Sequence, residues 1–298
     1  MSPEPAETKR PRVRRKASAT PKTDAAAAPA KKKAAAKRKT TPRKKAAAQS
    51  TTAKTTTPSD APRRATRKFS RKAALIFAAK ASFIAALIFV TITGSWIISY
   101  LFVNPPMTPL MVMRHFQEEE DIRNRWRSYE EISPEFLLAV VAAEDQLFFE
   151  HKGFDIKQIQ AAIETHLDGG KLRGGSTISQ QVAKNVFLWP GRSWIRKGLE
   201  AYFTLGIEVC WPKKRILEMY VNVAELGPGI YGVESAARHY FGKAASDLTR
   251  EESARLASIL PAPRERSPLR PSEYVLERQQ WILGQMHNLG GPAYLGGQ

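Results

Sequence analysis

The longest apolar stretch of the chain is Ala81–Val103, where 23 consecutive residues carry no charge. At about 1.5 Å per residue, a helix of this length reaches roughly 35 Å and can cross a bilayer core. Lys and Arg crowd its N-terminal side, whereas Trp96 and Tyr100 lie toward its other end, where amphipathic rings favour the membrane interface. The pattern predicts a single-pass helix with a cytoplasmic N-terminus.

A cleaved signal peptide is the alternative interpretation of this stretch. It requires a short N-terminal region, an apolar core of about 7–15 residues and a small-residue cleavage site. Here some 70 residues precede a longer apolar run, and Asn104-Pro105-Pro106 follows it. We therefore expect an uncleaved signal anchor over residues 73–103, with residues 104–298 outside the cytoplasm.

Beyond the anchor, the apolar positions follow the period of helices almost throughout. Ser133-Pro134-Glu135 is typical of a helix start and leads into an apolar run that extends to Phe149, and Thr249 with Glu252 forms a capping-box pattern. Further helices are predicted over Asp155–Asp168, Trp194–Val209, Lys213–Leu226 and Ser272–Leu289. Strand patterns are scarce, so residues 104–298 are predicted to form one mainly α domain.

Charge is concentrated at the N-terminus. Residues 1–72 hold 23 of the 47 Lys and Arg but only 4 of the 28 Asp and Glu, which leaves the remainder balanced at 24 of each sign. This segment has too little apolar surface to offset the entropy of ordering, so we expect a disordered basic cytoplasmic tail. Contact with anionic lipid is the favoured role, and non-specific nucleic-acid binding is the less favoured alternative.

Glu144 falls on the apolar face of its predicted helix, where burial raises a carboxyl pKa toward the range useful for proton transfer. The competing interpretation is a glutamate at a frayed helix end, paired with Lys or Arg. The single cysteine, Cys210, excludes an internal disulfide, and the five His show no ligand spacing for zinc.

Two further segments carry polar residues in patterns typical of anion binding. In Gly175–Asn185, Ser176 or Thr177 can cap a helix whose N-terminal amides favour a phosphate, although an ordinary capped helix has the same signature. In Arg196–Glu200, two cations precede a carboxylate by one turn, which is either a weak surface pair or a pyrophosphate site. Between them, the aromatic residues of Phe187–Trp194 suit either the core or a membrane contact.

Taken in order, these segments resemble the peptidoglycan glycosyltransferases of glycosyltransferase family 51, and most closely the monofunctional biosynthetic transglycosylases. Glu144–Gly153 fits E-D-x-x-F-x-x-H-x-G, and Gly175–Asn185 fits G-S-T-I-x-Q-Q-x-x-K-N. Arg196–Glu200 fits R-K-x-x-E, and Lys213–Asn222 fits K-x-x-I-L-E-x-Y-x-N. Arg278–Leu283 fits R-x-x-x-V-L with Ile in place of Val.

The resemblance implies a lysozyme-like head with a small membrane-associated jaw, and polymerisation of lipid II into β-1,4-linked glycan strands with inversion and release of undecaprenyl pyrophosphate. It makes Glu144 the general base and places Glu200 on the leaving-group side, acting directly or through a divalent cation such as Mg or Mn; no metal ligand set is assigned. It assigns substrate binding to Asp145, Phe148, His151, Ser176, Thr177, Gln180, Gln181, Lys184, Asn185, Arg196, Lys197, Lys213, Glu218 and Asn222.

The transpeptidase motifs S-x-x-K and K-T-G do not occur in the sequence. The resemblance therefore implies a separate transpeptidase or division or elongation proteins as partners, in a bacterial inner membrane, with the catalytic domain in the periplasm. Two other interpretations remain. A lysozyme-like hydrolase or lytic transglycosylase that cuts the same glycan would share the fold but needs no pyrophosphate site. A non-catalytic membrane anchor would tether nucleic acid through its basic tail.

Overall fold

The computed structural model describes residues 71–167, 169, 175–191 and 193–296. Apart from Arg71 and Lys72, the predicted basic tail lies outside these residues, so the tail prediction is not tested. Within the described part, helices dominate, as the sequence predicts. The helices are α1 (Arg71–Phe102), α2 (Pro109–Gln117), α3 (Pro134–Glu144), α4 (Ile156–Leu167), α5 (Ile178–Phe187), α6 (Trp194–Cys210), α7 (Lys213–Val223), α8 (Val233–Phe241), α9 (Arg250–Ile259) and α10 (Glu273–Asn288).

Three very short strands form the β-structure of the described residues: β1 (Arg123–Asn124), β2 (Glu225–Gly227) and β3 (Ile230–Tyr231). They lie in the order β1-β3-β2, with β1 parallel and β2 antiparallel to β3. Their brevity agrees with the scarcity of strand patterns in the sequence. The sheet is a small addition to a helical domain.

The central helix of the core is α3, which packs against α9, α10 and α7. Its residues from Phe136 to Ala142 are all buried, so it reads as a continuous apolar run rather than a stripe. The helix ends at Glu144, because Asp145 leaves the helical region with φ −163°. The prediction of a helix continuing to Phe149 is therefore wrong at this end, and Glu144 lies at a helix terminus.

Helix α1 is long and apolar enough to cross a membrane, with a mean hydropathy of 2.3. It begins ten residues before the predicted apolar run, because Arg71 and Lys72 already adopt the helical conformation. Most of its large apolar side chains are exposed, including Leu75, Phe83 and Ile92. A helix with apolar side chains on all sides and little protein cover along most of its length is typical of a segment surrounded by lipid.

The C-terminal part of α1 packs against α6. Thr93 Oγ1 lies 2.7 Å from the Tyr202 hydroxyl, and the Trp211 indole N–H donates to the Ile97 carbonyl over 2.9 Å. Ile97 also packs over Gly206, where an added Cβ would come 2.5 Å from Ile97 Cδ1, so a larger residue would force the Ile97 side chain to move. The membrane helix and α6 therefore share one packed contact.

Candidate active site

Glu144 is half-buried at the end of α3, and Gln181 of α5 donates a 2.8 Å hydrogen bond from Nε2 to its Oε2. Burial raises the pKa of the Glu144 carboxyl; the hydrogen bond from Gln181 and the charges of Arg278 and Lys184 act in the opposite direction. Among the described residues, no cation lies within 4.0 Å of this carboxylate. The structure thus gives a terminal glutamate without the ion pair that the competing interpretation required.

Gln181 is itself held in place by Tyr220 of α7, whose hydroxyl donates to the Gln181 Oε1 over 3.3 Å. Tyr220 is buried, and burial raises its pKa well above the usual value. It therefore stays protonated and serves as a donor. The sequence predicts no role for Tyr220, although its position as the tyrosine of the K-x-x-I-L-E-x-Y-x-N pattern marks it as a member of the motif.

Lys184 lies one turn after Gln181 on α5 and is half-buried. Burial lowers the pKa of its ammonium group, the Glu200 charge raises it, and the charges of Arg196 and Lys197 lower it further. Within the described chain, no carboxylate lies within 4.0 Å of its Nζ. Lys184 is therefore a cation available to a ligand between the two candidate glutamates.

Glu200 is only 3% exposed, which excludes the interpretation of a weak surface pair. Its Oε1 accepts from Lys197 Nζ over 2.5 Å, and its Oε2 lies 3.6 Å from an Arg196 guanidinium nitrogen. Lys197 keeps about half of its side chain exposed. A buried carboxylate fixes these two cations beside Lys184, so the three form one positively charged group of side chains.

Asp145, next to Glu144, is 2% exposed, and its carboxylate oxygens lie within hydrogen-bonding distance of His151 and Ile178. His151 Nε2 lies 2.9 Å and 3.0 Å from its two oxygens, and the Ile178 amide at the start of α5 donates to Oδ2 over 3.0 Å. The Gly153 amide donates to His151 Nδ1, so the Nε2 position carries the proton that faces Asp145. Asp145 ties the end of α3 to the start of α5.

Thr177, rather than Ser176, caps α5 and forms a reciprocal capping box with Gln180. Its hydroxyl also donates to the Gly153 carbonyl over 2.7 Å. Gly153 has φ +86°, and an added Cβ would lie 2.8 Å from Thr204 and 2.9 Å from Glu208, so both space and conformation require glycine. We call the hydrogen-bonded set of Asp145, His151, Gly153, Thr177 and Ile178 the buried network.

The remaining site residues divide by exposure. Phe148 is fully buried beneath Lys213, whose Nζ lies 4.5 Å from the ring centroid and 2.9 Å from Glu208.

Glu218 accepts from Arg215, Trp126 and the Tyr129 amide. Asn222 is fully buried and hydrogen-bonds the backbone of Arg127. Ser176 is exposed and Asn185 half-buried.

A pocket of about 660 Å³ opens beside Glu144. Residues from the end of α3, the start of α4 and α10 line it, including Gln158 and Trp281. Arg278, one turn before Trp281, donates to the Ala143 carbonyl over 2.9 Å. The motif R-x-x-x-V-L identified Arg278, but nothing in the sequence pattern singled out Trp281.

The aromatic segment Phe187–Trp194 contributes to both of the environments that the sequence left open. Phe187 and Leu188 are buried in the core, whereas Trp189 is 53% and Trp194 is 91% exposed. Ile195, which follows, is 77% exposed. Adjacent exposed aromatic and aliphatic side chains at the start of α6 suit an interfacial contact with lipid.

A divalent cation finds no protein cage in the described residues. They contain no group of three His, Cys, Asp or Glu side chains that could hold a metal ion. Glu200 already has cations on both oxygens. These residues do not fit a protein-held metal site.

A half-buried carboxylate at a pocket, together with a group of cations fixed by a second carboxylate, is an arrangement that suits base catalysis combined with the binding of an anionic group. A family model described as Transglycosylase matches residues 111–287. These residues include every one of the five motifs, and the chain therefore belongs to the transglycosylase family.

Relatives support the same assignment. A biosynthetic peptidoglycan transglycosylase from Xanthomonas campestris pv. campestris (strain B100) is 52% identical over 217 residues, covering 71% of this chain and 88% of the relative. Proteins with the same name from Pseudomonas putida (strain GB-1) and Pseudomonas entomophila (strain L48) are 50% and 54% identical, covering 77% and 65% of this chain and 94% and 84% of their own lengths.

Proposed function

We propose that the protein is a peptidoglycan glycosyltransferase that polymerises lipid II into β-1,4-linked glycan strands. The observation that carries the proposal is the placement of Lys184 between the half-buried Glu144 and the Glu200 pair with Arg196 and Lys197. A base and an anion-binding group on one cleft are what this transfer requires: one removes a hydroxyl proton, and the other holds a departing pyrophosphate.

Glu144 acts as the general base. Its carboxylate accepts the proton of the acceptor's 4-hydroxyl as that oxygen forms a bond to C1 of the growing chain's terminal N-acetylmuramic acid. The bond between C1 and the pyrophosphate oxygen breaks on the opposite face, so the α-linked donor becomes a β-linked product. Gln181 keeps the carboxylate oriented, and the charges of Lys184 and Arg278 favour its ionised form.

Undecaprenyl pyrophosphate leaves with its negative charge held by Lys184, Arg196 and Lys197. Preorganised cations stabilise such developing charge most strongly where water is excluded, and Lys184 is half-buried. Glu200 acts on the leaving-group side by fixing Arg196 and Lys197. In this proposal, Ser176, Gln181 and Asn185, which are exposed or half-buried, contact the donor.

The buried members of the predicted substrate set act by shaping the site. Asp145, Thr177 and Gln180 hold the start of α5, which carries Gln181 and Lys184. Phe148 and Lys213 pack behind His151, whereas Glu218 and Asn222 fix α7, which carries Tyr220. Their role in binding is therefore indirect, through the orientation of the residues that face the cleft.

The membrane helix completes the proposal. An isoprenoid substrate leaves a bilayer only at a cost of about 0.8 kcal/mol per CH₂, so the cleft must lie at the membrane. Helix α1 places it there, with the N-terminus in the cytoplasm and the catalytic domain on the periplasmic side of the inner membrane. Cross-linking of the strands falls to a separate transpeptidase, acting with division or elongation proteins.

The test uses purified full chain in detergent, incubated with labelled lipid II, with products separated by size. Polymer from the parent chain and none from Glu144→Gln supports the glycosyltransferase and its base. Cleavage of preformed glycan without polymer formation would instead identify a lysozyme-like hydrolase and remove the role of the cationic group. If the parent chain showed neither polymerisation nor cleavage, that result would contradict the assignment of catalysis to this cleft.

A further inference from the structure

The residues that line the pocket beside Glu144 do not include the members of the cationic group. Glu144, Asp155, Gln158 and Trp281 line it. Lys184, Arg196, Lys197 and Glu200 are not among its lining residues. Lys157, which is exposed, is the one cation among its described lining residues. A ligand group in this pocket would therefore reach the base without contacting the three cations that suit pyrophosphate, which indicates a part of the substrate other than the pyrophosphate.

Trp281 presents an aromatic surface to this pocket. Its side chain is 42% exposed, and the Arg278 guanidinium carbon lies 4.1 Å from its ring centroid. Because Arg278 is also bonded to the Ala143 carbonyl, the tryptophan is anchored next to the end of α3. The ring is thus positioned before any ligand arrives, which reduces the entropy lost on binding.

Core packing does not account for a tryptophan at this position. The buried face of α10 consists of Val275, Gln279, Ile282 and Met286, which follow the helical period. Trp281 lies off that face and leaves much of a large apolar ring in contact with water. An exposed aromatic ring in a pocket is a common feature of ligand recognition.

Other residues that line the same pocket supply hydrogen-bonding groups. Asp155 is 4% exposed, and its Oδ1 accepts from the Gln158 amide at the start of α4. Its Oδ2 has no hydrogen-bond partner among the described residues. Gln158 adds an exposed amide side chain. An aromatic face that shares a pocket with a carboxylate and an amide matches a sugar ring, which has an apolar C–H face and polar hydroxyl or acetamido edges.

We propose that Trp281 is a glycan-binding residue, stacking on a hexosamine ring of the substrate beside Glu144, with Asp155 accepting from a sugar hydroxyl or amide. This inference rests on the proposed function and deepens it. It assigns to Trp281 and Asp155 the recognition of the sugar, whereas the cationic group recognises the pyrophosphate.

The experiment compares Trp281→Leu and Trp281→Phe in the full chain, with lipid II in detergent. Tyr274→Leu is the matched control: Tyr274 lies on the same helix, is 47% exposed and has Arg266 4.3 Å from its ring, but does not line the pocket. We expect Trp281→Leu to raise KM by about tenfold with little change in kcat, and Trp281→Phe to recover most of the affinity. Tyr274→Leu leaves KM unchanged.

An unchanged KM in Trp281→Leu, or an equal rise in Tyr274→Leu, would overturn the proposal. A second measurement applies even if Trp281→Leu does not fold. Lipid II is titrated into Glu144→Gln and into Glu144→Gln/Trp281→Phe, and tryptophan fluorescence is recorded without turnover. A smaller change in the second protein supports stacking, and identical changes contradict it. Failure of the parent chain to polymerise lipid II would instead count against the proposed function itself.

Discussion

Glu144 and Asp145 are neighbouring carboxylates with opposite surroundings. Asp145 points into the buried network, where His151 and the Ile178 amide satisfy its oxygens. Glu144 lies at a pocket. Among the described residues its carboxylate accepts one side-chain hydrogen bond, from Gln181, and burial raises its pKa. The helix ends between them, so a one-residue step separates a group that fixes structure from a group left available to react. The comparison predicts opposite consequences when each loses its charge.

The largest expected effect is on catalysis in Glu144→Gln. Removing the base should lower kcat by about 10²–10⁴-fold, while Glu150→Gln, an exposed control six residues later, changes little. The measurement is the initial rate of lipid II polymerisation. A kcat within a few-fold of the parent would show that another group takes the proton.

The same variant should gain stability near neutral pH. A carboxyl whose pKa is raised by folding stabilises the folded state below its unfolded pKa of about 4.3, and this contribution is lost as pH rises through the folded pKa. Glutamine mimics the protonated form, so Tm of Glu144→Gln should exceed that of the parent at pH 7–8, with the gap closing toward pH 4. A constant gap across this range would contradict the raised pKa of Glu144.

Asp145→Asn should act on stability instead. Because the Gly153 amide holds His151 Nδ1 as an acceptor, Asp145 faces two donors, and an asparagine amide would oppose one of them. We expect a loss of about 3 kcal/mol in the free energy of unfolding. Thermal unfolding at pH 7 checks this. An Asp145→Asn protein as stable as the parent but inactive would place Asp145 among the reacting groups.

The sequence predicted the mainly α fold and the membrane helix because helical periodicity carries that information, and its local motifs supplied the candidate site residues. It could not predict the end of α3 at Glu144, since the helix is terminated by tertiary contacts of Asp145 with His151 and α5. Nor could it separate residues that face the cleft from those in the buried network. Both kinds of residue stand side by side in one motif.

Lys184 and Lys213 extend the comparison to two lysines, one in the cationic group and one in a structural ion pair with Glu208. Lys184→Met should lower kcat/KM by about 100-fold with Tm unchanged or raised, because burial disfavours its charge. Lys213→Met leaves the buried Glu208 without its cation, so its main effect should be a loss of about 2 kcal/mol in stability. Activity and thermal unfolding are measured for both proteins. The reverse assignment of effects would invalidate the division between the cationic group and the structural contacts.

The smallest expected effect concerns the contact of α1 with α6. Thr93→Val removes the hydrogen bond to Tyr202 and should cost about 0.6 kcal/mol in detergent, with polymerisation nearly unchanged. Thr91→Val is the control, since the Thr91 hydroxyl bonds only within its own helix, to the Leu87 carbonyl. Equal shifts in the thermal unfolding of the two variants would argue that the interhelical bond contributes nothing.

The packing of α1 on α6 also determines how the protein can be handled outside a membrane. Trp96 of α1 lies against Phe187 and Phe203, and Trp211 donates to the Ile97 carbonyl, so α1 covers the rings of Phe187, Phe203 and Trp211. A chain shortened to begin at Asn104 would expose them to water as one apolar patch beside the already exposed Leu205 and Val209. Such patches promote self-association. Removing the anchor should therefore yield a catalytic domain that aggregates rather than a freely soluble one.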